Sequence, residues 1–153
     1  MFRHLRSLLL ILAGYSLLSA CATVSHASPE VAPNAVEIGV SRIGDSLLRY
    51  VRFNTESDYP CLRFETIQPE QDWRVVQQRD LCGIRPGRGE RISFRTDVAF
   101  VEFVDITLEE TGASFRVVYM PAVGQGEHQS LCRIDMDRAG SLGEAVCGET
   151  GPL

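Results

Sequence analysis

Three arginines, Arg85, Arg88 and Arg91, project from the glycine-rich stretch Cys82-Gly83-Ile84-Arg85-Pro86-Gly87-Arg88-Gly89-Glu90-Arg91. Guanidinium forks match carboxylates and phosphates through parallel hydrogen bonds, and the amides of a glycine-rich backbone add further donors. This loop is a candidate grip for an anionic glycan, a lipid head group or an acidic protein surface. The plainer alternative is a solvated loop whose arginines balance nearby acids. Glu102 is a second candidate: on an extended strand it shares a face with Val98, Phe100, Val104 and Ile106, where a desolvated carboxyl suits general acid or base work unless an arginine neutralises it. His128 is the third, because His4 and His26 precede the expected folded part and a histidine-activated nucleophile needs an imidazole. No G-x-S-x-G elbow accompanies it.

Metal chemistry finds little purchase. Met120, His128 and Met136 offer soft donors, but their eight-residue spacings fit no ligand motif. Asp135 and Asp137 flank Met136 without the glycine and glutamate of an EF-hand loop. No metal, no cofactor and no complete catalytic set is expected. All 15 basic residues are arginine, so a P-loop, a Schiff-base enzyme, a PLP enzyme and an S-x-x-K acyl-enzyme are excluded.

The residues that would position these groups follow an N-terminal address. Arg3, His4 and Arg6 precede an apolar run from Ser7 to Ala20, which is too short to cross ~30 Å of hydrocarbon at ~1.5 Å per residue. It ends in Leu18-Ser19-Ala20-Cys21 and resembles the signal peptide and lipobox of bacterial lipoproteins. The resemblance implies that residues 1–20 are removed and that Cys21 receives a diacylglycerol. It also implies that Ala22, in place of aspartate, directs the protein to the outer membrane, facing the periplasm. Residues 21–35, small and polar with Pro29 and Pro33, read as a tether with an r.m.s. reach of roughly 20 Å. Without residues 1–20 the acids outnumber the arginines by seven, a poor balance for binding nucleic acid.

Residues 36–153 read as one domain. Its four cysteines, Cys61, Cys82, Cys132 and Cys147, point to two disulfides in an oxidising compartment. Three pairings are open. Cys61–Cys82 and Cys132–Cys147 are favoured because each joins neighbouring segments, and zinc is disfavoured because no C-x-x-C pair exists. The clearest local structure is a hairpin turning at Thr111-Gly112, which pairs Leu108 with Phe115, Ile106 with Val117 and Val104 with Tyr119. Further strands are expected at residues 36–41, 47–54, 62–67, 73–78, 91–96 and 130–136, although 41–52 also fits a helical period. The expected fold is a small antiparallel β-sandwich or barrel.

The leading expectation is an envelope lipoprotein that binds a protein or cell-wall partner, of the inhibitor, immunity or assembly-accessory kind. The alternative is a small periplasm-facing hydrolase using Glu102 or His128.

Overall fold

The structure, a computed structural model, describes residues 34–56 and 59–153. Cys21, the expected signal segment and all but the last two residues of the expected tether lie outside these. Eleven antiparallel strands are described, and no α-helix. The first sheet is a meander of β1 (Ala35–Ile43), β2 (Ser46–Phe53), β3 (Leu62–Gln68) and β4 (Arg74–Leu81). The second is built on β7 (Val98–Glu109), β8 (Gly112–Pro121) and β9 (His128–Asp135). The short strands β10 (Val146–Cys147) and β11 (Gly151–Pro152) both pair with β9. Between the sheets in sequence, β5 (Gly83–Ile84) and β6 (Ile92–Ser93) form a two-stranded hairpin.

Alternation builds the core. Leu48, Tyr50, Leu62 and Phe64 from the first sheet face Val101, Phe103, Phe115, Val117 and Ile134 from the second. Phe64 and Phe115 meet across the interface with ring centroids 5.5 Å apart, so the fold is a sandwich closed by aromatic and aliphatic packing. Tyr50 lies opposite Gly39 on β1. A Cβ at Gly39 would come within 2.2 Å of the Tyr50 ring, so the glycine admits the ring, whose hydroxyl donates to Glu37 at 2.6 Å. On the other face of the first sheet, Phe53 is covered by Tyr59 edge-on and by the Arg63 guanidinium.

The two disulfides are Cys61–Cys82 and Cys132–Cys147, as their proximity in sequence favoured. Residues 41–52, which also fitted a helical period, form the β1–β2 hairpin, with Gly44 at φ 59° in its turn.

The expected hairpin exists with a different register. Glu109 pairs with Gly112 and Leu108 with Ala113, so the turn is Glu110-Thr111 and not Thr111-Gly112. A side chain at Gly112 would sit 2.0 Å from the Ile134 carbonyl oxygen on β9. The glycine is therefore required by the neighbouring strand as well as by its own positive φ of 149° at the end of the turn. A β-bulge between Val104 and Thr107, with Asp105 at φ 53°, shifts the register again. Its effect is to turn Ile106 and Leu108 onto the core beside Phe103, three residues before Ile106. Val98 also packs inward, beyond a second bulge. Consequently Glu102 does not share a face with Val98 and Ile106, as unbroken alternation required.

The strand expected at residues 91–96 shortens to Ile92–Ser93. Asp97 accepts from the Ser93 amide at 2.8 Å, and its own amide returns to the Ser93 carbonyl, which bends the chain into a turn.

Candidate functional site

Strand β4 carries few apolar residues, yet its alternation is clear: Val75, Gln77, Arg79 and Leu81 are half-buried, and the residues between them are exposed. Arg79 lies opposite Phe64. Its Nη1 donates to Glu144 at 2.5 Å and its Nη2 to the Leu142 carbonyl at 3.4 Å. Its Nε is buried without an acceptor. The Leu142 amide in turn donates to Gln77 Oε1 at 2.8 Å. The stretch joining β9 to β10 is thereby strapped across the edge of the first sheet.

Beside this strap opens a cleft of about 440 Å³ between the sheets. Phe64 and Ile134 of the core form its floor, Leu81 and Ile84 an apolar wall, and Arg79, Arg85 and Arg91 its cationic lining. The last two stand together because Ile84 pairs with Ile92, which brings the residues just outside that pair to the open end of the β5–β6 ladder. Both disulfides brace this loop. Cys82 immediately precedes β5, and the Gly87 amide donates to the Cys147 carbonyl at 3.0 Å.

The three arginines singled out from sequence are divided. Arg85 and Arg91 line the cleft, whereas Arg88 lines another concavity with Glu149, Thr150 and Ile92. Arg85, Arg88 and Arg91 are exposed and make no ion pair among the described residues. Arg49, Arg52, Arg63, Arg79, Arg116 and Arg133 each have a carboxylate partner. Arg42, Arg74, Arg95 and Arg138 likewise make no ion pair among the described residues, so what sets Arg85 and Arg91 apart is that they line one cavity together. Arg79 and Glu144 were not anticipated. The available signal was Leu81, two residues beyond Arg79 and so in the same row, but β4 extends past the Gln78 limit read from its pattern.

Glu102 is half-buried on the solvent face of the second sheet, between Val118 across the ladder and Phe100 and Val104 along its strand. The next row contains Val101, Tyr119 and His128. Successive rows point to opposite faces, so Glu102 and His128 do not form one site. His128 stacks on Tyr119 at 5.7 Å. The nearby Ser130 hydroxyl is spent on the Gly148 carbonyl at 2.8 Å, so it is not held as a nucleophile for the imidazole.

The methionines are also separated: Met120 is partly exposed, and buried Met136 accepts the Thr66 hydroxyl through its sulfur. Asp135 accepts from Arg133, while Asp137 closes a turn by accepting from the Ser141 amide. Among the described residues, no three His, Cys, Asp or Glu side chains are placed to share a metal ion.

The cleft and the N-terminal end of β1 occupy one end of the first sheet. Ala35 lies opposite Phe53, Arg52 opposite Leu62, and Leu62 opposite Leu81. No protein-family model, curated protein or solved structure matches the chain. What the protein does is therefore inferred from the chemistry of its residues.

Proposed function

We propose that the chain is a lipid-tethered envelope binding module that receives an acidic group of its partner in the cleft between Arg79, Arg85 and Arg91. The observation that carries this reading is the convergence of three guanidinium groups on one cavity, two of them without an acid partner. A carboxylate entering there gains charge-assisted hydrogen bonds, each contributing roughly 1.5–3 kcal/mol. The lipobox-like Leu18–Cys21 segment supports attachment to a membrane, and Ala22 supports the outer membrane. A tether of roughly 20 Å reach, entering at the cleft's end of the sheet, then keeps the cleft on the membrane-proximal side of the domain.

The test uses the full chain and a fluorescently labelled polyglutamate peptide. Arg85→Gln with Arg91→Gln is expected to weaken binding roughly tenfold or more, since each replacement removes a charge-assisted contact. Arg88→Gln serves as an internal comparison and is expected to leave affinity within about twofold, apart from its effect on the general field. Raising salt should weaken binding in the parent protein. Equal losses from Arg88→Gln and from the cleft pair would show that general charge, and not the cleft, holds the peptide. Tethering is tested separately: Cys21→Ser should move the protein from the membrane to the soluble fraction, and continued recovery with membranes would remove the lipid anchor from the proposal.

A further inference from the structure

We infer that Glu144 is a resident occupant of the cleft, and that the partner group which replaces it is a carboxylate on a short apolar stem. This rests on the cleft being a binding site and specifies what it takes. Glu144 and Arg79 are unequal partners: the glutamate side chain is 84% exposed and the arginine 31%. The glutamate is already hydrated in the pair, so its release costs little, while Arg79 remains packed opposite Phe64 and bonded to the Leu142 carbonyl.

The contact is also incomplete. A guanidinium holds a carboxylate best through two parallel N–H bonds, whereas Glu144 receives one, from Nη1, while Nη2 is turned to the Leu142 carbonyl at 3.4 Å. A carboxylate that enters freely is not constrained by the Glu144 backbone and can meet Arg79 Nη1 together with a second guanidinium of the lining. Arg85 and Arg91 line the same cavity and add charges that Glu144 does not engage.

Releasing Glu144 does not release the strap, because the Leu142 amide stays on Gln77 and Cys147 stays bridged to Cys132. The exchange is therefore a local swap of one carboxylate for another. The apolar stem follows from the wall: Leu81, Ile84 and Ala145 line the same cavity as the arginines. Phosphate would satisfy the charges but leave this wall without an apolar contact.

The experiment titrates the ¹⁵N-labelled full chain with butyrate, butyramide and inorganic phosphate, following the arginine Nε–H resonances. Butyrate is expected to shift the Arg79 signal and butyramide is not. In Glu144→Gln, butyrate should bind more tightly by roughly two- to fivefold, the range set by losing one exposed ion-paired competitor. Glu144→Asp, whose carboxylate falls short of Arg79, should do the same, so a defect peculiar to one variant does not decide the result. Butyrate affinity that is equal or lower in both variants overturns the displacement. Tighter binding of phosphate than of butyrate in the parent and both variants overturns the carboxylate class. If neither anion binds any of the three proteins, the cleft itself fails as an anion site, which is a distinct outcome from a failure of displacement alone.

Discussion

Removing the Cys132–Cys147 bridge tests how this sandwich is held together. The bridge joins β9 to β10 directly across their ladder, where Cys132 and Cys147 are paired. Both residues are nearly inaccessible, and Cys132 faces Phe115 on β8. In Cys132→Ala/Cys147→Ala the folded packing loses two sulfur atoms, so the main change lies in the unfolded chain. With the cysteines separated by 15 residues, loop-closure entropy predicts a loss of about 3 kcal/mol at 25 °C. A domain of this size has an unfolding entropy of about 0.25 kcal/mol per kelvin, so the midpoint should fall by about 12 °C. Circular dichroism melts under non-reducing conditions measure this directly. Guanidinium titration provides a check, since a lower midpoint with an unchanged slope marks a pure stability change. The corresponding Cys61→Ala/Cys82→Ala variant, with a separation of 21, should lose slightly more, by about 0.3 kcal/mol. A fall of less than about 4 °C for the 132–147 variant would refute the entropic reasoning. Fully native-like peptide affinity in that variant would separately show that the bridge does not brace the arginine loop through the Gly87–Cys147 contact.

Two further outcomes follow from buried polar groups. Arg49 and Glu65 pair at 2.5 Å with side chains only 11% and 6% exposed; Glu65→Ala should destabilise by roughly 3–5 kcal/mol in urea unfolding, whereas Arg49→Met/Glu65→Leu should be close to neutral because no buried charge is left alone. Burial and the hydrogen bond to Glu37 push the Tyr50 hydroxyl up to about 12. Its contribution to stability is therefore full below pH ~10 and is lost as pH rises through the folded value. The urea midpoint should drop across that window, and Tyr50→Phe should flatten part of the drop; an identical pH dependence in the variant would exclude Tyr50 as a source.

Legibility in the sequence tracked how local the cause was. Phe115, Val117 and Tyr119 announced β8 because alternate burial is written into neighbouring residues. Cys61–Cys82 and Cys132–Cys147 were legible because short separations favour local closure. The bulge at Asp105 was not, because an extra residue is accommodated only when packing on both sides favours turning Phe103 and Ile106 to the same core. Gly112 looked like a turn residue, while the carbonyl that a side chain there would strike, Ile134, lies on another strand. The strands β10 and β11 are two residues each and carry no periodic signal. The cleft was half legible: the arginine loop stood out by composition, but Arg79 acquires its role from Glu144, 65 residues away along the chain.

The shared end of the first sheet has a mechanical consequence. β1 is an edge strand, and just before it the Asn54 amide donates to the Asn34 carbonyl at 3.1 Å. A pull on Asn34 against a load on Arg85 and Arg91 would open β1 from β2 one hydrogen bond at a time, which is the weak direction of a ladder. The covalent route then reaches Cys61 and crosses to Cys82, so residues 62–81 carry no tension. Residues 34–60, with a contour length of roughly 90 Å, would be drawn straight before the disulfide takes the load. The β1–β2 hairpin would then act as an extensible leash, while β3, β4 and the arginine loop keep their geometry under strain.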